Sequence, residues 1–255
     1  MLNKESNPFR MDKKTVLITG GGTGLGAGMA RCFVDAGAHV VLVGRRAEVL
    51  RETAAELGES ASYITADLQE PEAIQGLVEE VRDRFGTLDT LISNAGVHLK
   101  KPAEDTSLTE LETVMRTHVT GAHELIRLSY SMLKEDGGSV ILICSMTALM
   151  GMTNVIAYTA AKSALLGMVR AYSSEWAREG VRVNAIAPGW IESPMLRQAL
   201  SGDPARAQRI LQRTHLGDFG EPSDIGNTAV FLASSAAKFI TGITLPVDGG
   251  ASSGF

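Results

Sequence analysis

At 255 residues, 44% of them apolar, the chain is long enough to bury a sizeable core as a single domain. Its 24 basic and 29 acidic residues leave a formal charge of -5, and no lysine–arginine stripe of the kind a nucleic-acid backbone requires is present. The start, MLNKESNPFRMDKK, lacks the apolar centre of a signal peptide, and no later stretch approaches the roughly 20 apolar residues that span a bilayer; a cytoplasmic protein with neither nucleic acid nor membrane as partner is expected.

In chain order, Met1 to Arg10 reads as a disordered tail and residues 11 to 255 as one domain. Strands are expected at 14–19, 39–44, 62–66, 90–94, 139–144, 181–186 and 243–247, all short, β-branched and apolar. Between them, helical periodicity covers 24–36, 47–57, 71–85, 108–133, 156–179 and 223–233. Strands this apolar are buried on both faces, and their alternation with helices predicts a Rossmann-like, doubly wound parallel α/β sheet of about seven strands. Ligands of such sheets bind beyond the C-terminal strand ends, near the point where the strand order reverses. The stretch from Glu192 to Gly220 departs from the alternation and reads as a substrate lid. Cys32 and Cys144, the only cysteines, lie among apolar neighbours and read as buried free thiols.

Residues Thr19 to Gly26, TGGGTGLG, follow the first strand and open the first helix. That is where unpaired helix N–H groups meet a dinucleotide pyrophosphate, so the glycines are expected to serve close backbone approach rather than flexibility. At the end of the second strand, a dinucleotide fold that selects NAD carries an acidic residue for the ribose hydroxyl. Gly44 occupies that place here, followed by Arg45 and Arg46, whose guanidinium groups match a 2'-phosphate. NADP(H) is therefore the expected cofactor, with NAD(H) possible and Arg45 the larger contributor.

Further along, Ser145 follows the fifth strand, and Tyr158 and Lys162 stand four apart on a helix, on one face and about 6 Å apart along its axis. Spacing alone does not distinguish this pair from Tyr130 and Lys134, which end a helix beside a solvated EDGG turn. Only the first pair stands with a serine hydroxyl at the cofactor end of the sheet. A cation about 4 Å from a phenol is worth roughly 4 kcal/mol at an effective dielectric of 20, so Lys162 is expected to lower the Tyr158 pKa toward neutrality.

Together these landmarks resemble the short-chain dehydrogenase/reductase family, in its single-domain branch, over about residues 14 to 250. The matching motifs are TGGGTGLG, Ala66-Asp67-Leu68, Ser93-Asn94-Ala95-Gly96, Ser145, Tyr158-Thr-Ala-Ala-Lys162, Asn184-Ala-Ile-Ala-Pro188-Gly189 and the C-terminal Gly242 to Gly250. The resemblance implies that Gly20, Gly22, Thr23, Gly24, Leu25 and Gly26 cradle the dinucleotide. It further implies that Asp67 and Leu68 border the adenine, that Asn94, Ala95 and Gly96 line the cleft, and that Pro188, Gly189, Ile191 and Ser193 shape the nicotinamide end. By the same resemblance Tyr158 is the acid/base, Lys162 holds the ribose, and Ser145 orients the substrate oxygen. His118 stands where the family's fourth catalytic residue is an asparagine; either its backbone carbonyl keeps that role or its imidazole relays protons. His39, His98, His123 and His215 form no metal-ligand grouping, and no metal is expected.

The resemblance implies an NAD(P)-dependent oxidoreductase acting on a small-molecule ketone or secondary alcohol, assembled as a homotetramer. Met146, Leu149, Met150, Met152, Trp190, Met195 and Leu196 point to a 3-oxoacyl, cyclic-ketone or steroid-like substrate. A sugar or polyol, in the manner of gluconate 5-dehydrogenases, is the alternative, and a non-catalytic dinucleotide sensor is the rival from another class.

Overall fold

The computed structural model describes residues 7–193, 196–197, 200–201 and 204–253. Seven strands form one parallel sheet: β1 (Thr15–Thr19), β2 (His39–Gly44), β3 (Ala61–Thr65), β4 (Thr90–Ser93), β5 (Ser139–Ile143), β6 (Arg182–Pro188) and β7 (Thr244–Val247). Their order is β3-β2-β1-β4-β5-β6-β7. All seven expected strands are present, with ends displaced by at most two residues.

The sheet is covered on both faces, which is why its strands read as apolar throughout. Leu17, Val41, Val43, Leu91, Val140, Leu142 and Val183 face one side. They pack with residues of α3 (Pro71–Phe85), α5 (Gly121–Leu133) and α6 (Ile156–Trp176). The alternate residues, among them Val16, Ile18, Val40, Leu42, Ile92, Ile141 and Ile186, face α1 (Gly24–Asp35) and α8 (Pro222–Ala233), with Leu50 and Ala54 of α2 (Ala47–Leu57). α4 (Leu108–Met115) starts with a capping box between Ser107 and Glu110. α7 (Pro204–Arg213) falls inside the segment that broke the alternation. Ile191 and Gly220 pair as a parallel bridge and close the neck of that segment. At the start, the Pro8 carbonyl accepts from Ala236 N–H at 3.2 Å and from Ser235 Oγ at 3.0 Å, and the Phe9 ring packs on Phe231. Met1 to Ser6 of the expected tail lie outside the described residues.

One expected helix is divided. The stretch 108–133 contains a π-helical turn at Arg116–Thr120 between α4 and α5, in which Gly121 N–H reaches the Arg116 carbonyl. Such a turn carries one extra residue and re-aims the side chains around it. The turn lies against the segment after β3: a Cβ at Gly121 would come within 2.1 Å of the Leu68 carbonyl oxygen. Backbone cannot retreat as a flexible side chain can, so glycine is the residue that permits this contact. Gly121→Ala should therefore lower stability by about 2–3 kcal/mol. A shift in the midpoint of urea denaturation, with the slope unchanged, measures it; an unshifted midpoint would contradict the contact.

Candidate active site

The strand order reverses between β1 and β4, and the loops that leave their C-terminal ends diverge to form a crevice. Thr19, the last residue of β1, ties its walls together. Its buried hydroxyl accepts from the N–H groups of Asn94 and Ala95, each at 2.9 Å, and donates to the Ile92 carbonyl at 3.3 Å. Asn94 returns the contact, with Nδ2 donating to the Thr19 carbonyl at 2.9 Å. Within the glycine loop, a Cβ on Gly26 would lie 2.0 Å from the Gly20 carbonyl oxygen, so the loop can fold back on the start of α1 only with glycine there.

The resulting cleft has a volume of about 570 Å³. Gly20, Gly22, Thr23, Gly24, Leu25 and Gly26 form its floor, Arg45, Arg46, Asp67 and Leu68 one end, and Asn94, Ala95, Gly96 and Ser193 the other. Val43, Val49, Leu50, Gln69, Val97 and Thr117 also line it; the sequence offered no polar or glycine signal at the apolar ones. Thr23 makes no side-chain cap to α1, and the first turn of that helix holds no acidic residue. Its first N–H groups thus present partial positive charge to the cleft, which fits a pyrophosphate. Arg45 lies 3.8 Å from the Asp67 carboxylate, a contact the sequence did not foretell. Pro188, Gly189 and Ile191 do not line this volume. They follow β6, where Gly189 N–H bonds to the Val247 carbonyl at 3.0 Å.

Beyond the cleft, Ser145, Tyr158 and Lys162 come together as the sequence predicted. Ser145 leaves β5, its hydroxyl accepting from Thr147 N–H at 3.1 Å. Tyr158 stands in the first turn of α6 and Lys162 one turn later. The Lys162 ammonium is buried, lies 5.5 Å from the Tyr158 ring centre, and donates to the Ile143 carbonyl at 2.6 Å. Burial pushes the Tyr158 phenol up to about 12, the Ser145 hydroxyl offsetting only part of it, and lowers Lys162 to about 8. The expectation that Lys162 brings Tyr158 toward neutrality is not met, because desolvation governs the shifts of both groups. The rival pair behaves as surface packing: Tyr130 stacks on Trp176 at 4.5 Å, and Lys134 turns to Glu179 at 3.7 Å.

His118 is carried by the π-helical turn and is buried. Its ring meets Tyr158 edge-on at 5.5 Å and lies against Gly96, where a Cβ would come within 2.2 Å of its Cε1. Nε2 faces the Val97 backbone, 2.8 Å from its carbonyl and 3.1 Å from its N–H, so a neutral ring is bonded in either tautomer. Burial and then the Lys162 charge hold its pKa down to about 3. Of the apolar residues expected near substrate, Met146 and Leu196 are buried, Leu149 is exposed, and Met195 lies outside the described residues. Among the described residues, no three His, Cys, Asp or Glu side chains gather as a metal site, and no helix is long and apolar enough to cross a membrane.

A parallel sheet with a glycine-floored dinucleotide cleft, and a serine, tyrosine and lysine beyond its end, defines a nicotinamide-dependent dehydrogenase acting on CH–OH groups. A family profile described as enoyl-(acyl carrier protein) reductase matches residues 20–252. The chain belongs to the short-chain dehydrogenase/reductase family. It is 35% identical to 2-dehydro-3-deoxy-D-gluconate 5-dehydrogenase of Bacillus subtilis, over 95% of this chain and 96% of the relative. It is 36% identical to L-fucose dehydrogenase of Mus musculus, over 96% and 91%. The crystal structure of gluconate 5-dehydrogenase from Burkholderia cenocepacia, in complex with NADP and tartrate, superposes with a TM-score of 0.92 at 31% identity, covering 98% of this chain and 99% of that one.

The depressed His118 pKa has a consequence for stability. An unfolded chain takes up a proton on this residue below about 6.5 that the folded protein refuses until about 3, so stability falls as pH drops through that window. At pH 5 the parent should have lost about 2 kcal/mol that His118→Asn keeps. Urea unfolding of both proteins at pH 7 and pH 5 measures this, and parallel losses would contradict it. Turnover of His118→Asn should keep the parental pH profile between about 6 and 8, since a ring with so low a pKa does not titrate there.

Proposed function

We propose that the protein is an NADP(H)-dependent dehydrogenase of a sugar acid or related polyol. The observation that carries the catalytic part is the convergence of Ser145, Tyr158 and Lys162 beyond the cleft, at strand ends on the side of the sheet that binds ligands. A bound nicotinamide supplies the acceptor or donor of hydride. In oxidation, the Tyr158 phenolate takes the substrate hydroxyl proton as the carbon gives up its hydride, while Ser145 donates a hydrogen bond to the same oxygen. In reduction the phenol returns that proton to the forming alkoxide. At neutral pH Tyr158 keeps its proton and Lys162 its charge, the state from which reduction starts. Lys162 further serves the ribose hydroxyls, and the segment 192–220, closed at its neck by Ile191 and Gly220, acts as the lid. His118 acts by holding Val97 through its ring and by its backbone, not as a proton relay.

The substrate class draws its support from the relatives, named for gluconate derivatives and L-fucose. The steroid-like or 3-oxoacyl substrate read from the methionine-rich stretch has no such support, and Met146 is taken up by packing. NADP preference rests on Arg45 and Arg46 at the β2 end of the cleft, on the absence of a carboxylate at Gly44, and on the related structure holding NADP. Arg45 pairs with Asp67 across only 3.8 Å of partly solvated space, a contact a 2'-phosphate can outcompete. Self-association as a homotetramer is supported by Phe239, which is fully exposed, and by the exposed Ile243 at the start of the outermost strand.

Two measurements test this reading. Oxidation of D-gluconate with NADP+ should be measurable and should fall by about a hundredfold or more in Tyr158→Phe. Consumption of a steroid or 3-oxoacyl thioester with no turnover of any polyol would reverse the assignment. Arg45→Ala should raise the Michaelis constant for NADPH by about tenfold and leave that for NADH unchanged, with a smaller effect from Arg46→Ala. A wild type that favours NADH would count against the cofactor.

A further inference from the structure

The loop that leaves β4 runs past the end of the cofactor cleft with the sequence Val97-His98-Leu99-Lys100. Its side chains alternate as in an extended segment. Val97 and Leu99 turn inward onto the small apolar cluster of Val114, Ala157 and Ala161. His98 and Lys100 are exposed on the other side. The backbone is held in this register at both ends. His118 binds Val97, and Lys101 N–H bonds to the Asn154 carbonyl at 2.8 Å, just ahead of α6.

This register sets the His98 ring 5.0 Å from the Tyr158 ring and tilted to it, whereas His118 meets that ring edge-on. The two imidazoles differ in what they have left to offer. His118 is buried and spends Nε2 on Val97, whereas among the described residues neither nitrogen of His98 has a hydrogen-bond partner. Although the residue is largely exposed, partial desolvation of its ring, and then the nearby Lys100 charge, lower the His98 pKa. A neutral imidazole both donates and accepts, which suits a hydroxyl. The two lysines of the loop differ in the same way. Lys101 is committed to both oxygens of Glu110, at 3.0 and 3.1 Å, while Lys100 has no ion pair among the described residues.

We infer that His98 and Lys100 form the substrate-recognition edge of the site: His98 bonds a hydroxyl beside the reacting carbon, and Lys100 meets a terminal carboxylate. The preferred substrate is then an aldonate, a hydroxylated chain ending in a carboxylate, rather than the neutral polyol of the same skeleton. This rests on the polyol reading above.

Steady-state kinetics of the full chain with NADP+ test it, using D-gluconate and D-glucitol as charged and neutral forms of one hydroxylated chain. His98→Phe keeps a ring against Tyr158 but removes both nitrogens. It should raise the Michaelis constant for both probes about tenfold, with less change in kcat and an unchanged NADPH dissociation constant, and His98→Gln should recover most of the loss. Lys100→Met should raise the Michaelis constant for gluconate about threefold or more and leave glucitol alone. A His98→Phe value within about twofold of wild type, while Tyr158→Phe still loses turnover, would overturn the His98 contact and leave the polyol reading intact. Equal wild-type constants for the two probes would overturn the carboxylate contact. Turnover of neither probe, with NADPH bound normally, would overturn the polyol reading and this inference with it.

Discussion

The Thr19 hydroxyl is the contact on which the site depends. Where β1 and β4 part company, two loops leave neighbouring strands in different directions, and each carries backbone groups that the sheet no longer pairs. One buried hydroxyl accepts from Asn94 and Ala95 and donates to Ile92, while Asn94 reaches back to the Thr19 carbonyl. Buried polar groups are costly unless bonded, so this knot satisfies several at once and sets the separation of the cleft walls. The glycine loop, and through it the exposed N–H groups of α1, inherits its position from that knot.

Beyond the cleft, burial governs the electrostatics. Tyr158 packs against two imidazoles, and Lys162 is held near its ring by the Ile143 carbonyl. Desolvation raises the phenol and lowers the amine, bringing their pKa values to about 12 and about 8. At neutral pH the phenol therefore keeps the proton that reduction delivers, and the amine keeps its charge. The exchange of the family's asparagine for His118 fits this setting because the imidazole is kept neutral. Its bulk is accommodated by Gly96, which has no Cβ to collide with it, and by the π-helical turn that carries it.

Polar anchoring recurs away from the site, where it maintains the sheet edge. Arg182 bonds the Leu232 and Ala233 carbonyls at the end of α8, at 2.6 and 3.0 Å, satisfying acceptors that a helix terminus leaves unpaired. Asn184 donates to Ile240 and accepts from Ile243, setting the entry of β7. Asp248 accepts from Gly250 and Ser252 and secures the chain after that strand. The motif residues of the C-terminal third thus serve mainly to dock β7 beside β6, the strand whose end leads into Gly189 and the neck at Ile191.

The amino-acid sequence by itself determined the parallel sheet, the place of every strand and the gathering of Ser145, Tyr158 and Lys162, because these follow from periodicity, two-sided burial and motif order along the chain. Helix α7 was not among the expected helices, because the low overall apolar content of Pro204–Arg213 masks a marked segregation of its apolar from its polar residues. The π-helical turn was not legible in the sequence either: local periodicity does not mark it, and the Leu68 backbone packed against Gly121 at its end comes from elsewhere in the chain. Only the tertiary structure decided that Arg45 meets Asp67, that His98 flanks Tyr158, and that His118 is bonded to Val97. It also decided that the Tyr158 pKa is raised and not lowered. Spacing along a helix tells which charges are neighbours, but the water removed from around them, which sets the sign of the shift here, is known only once the chain has folded.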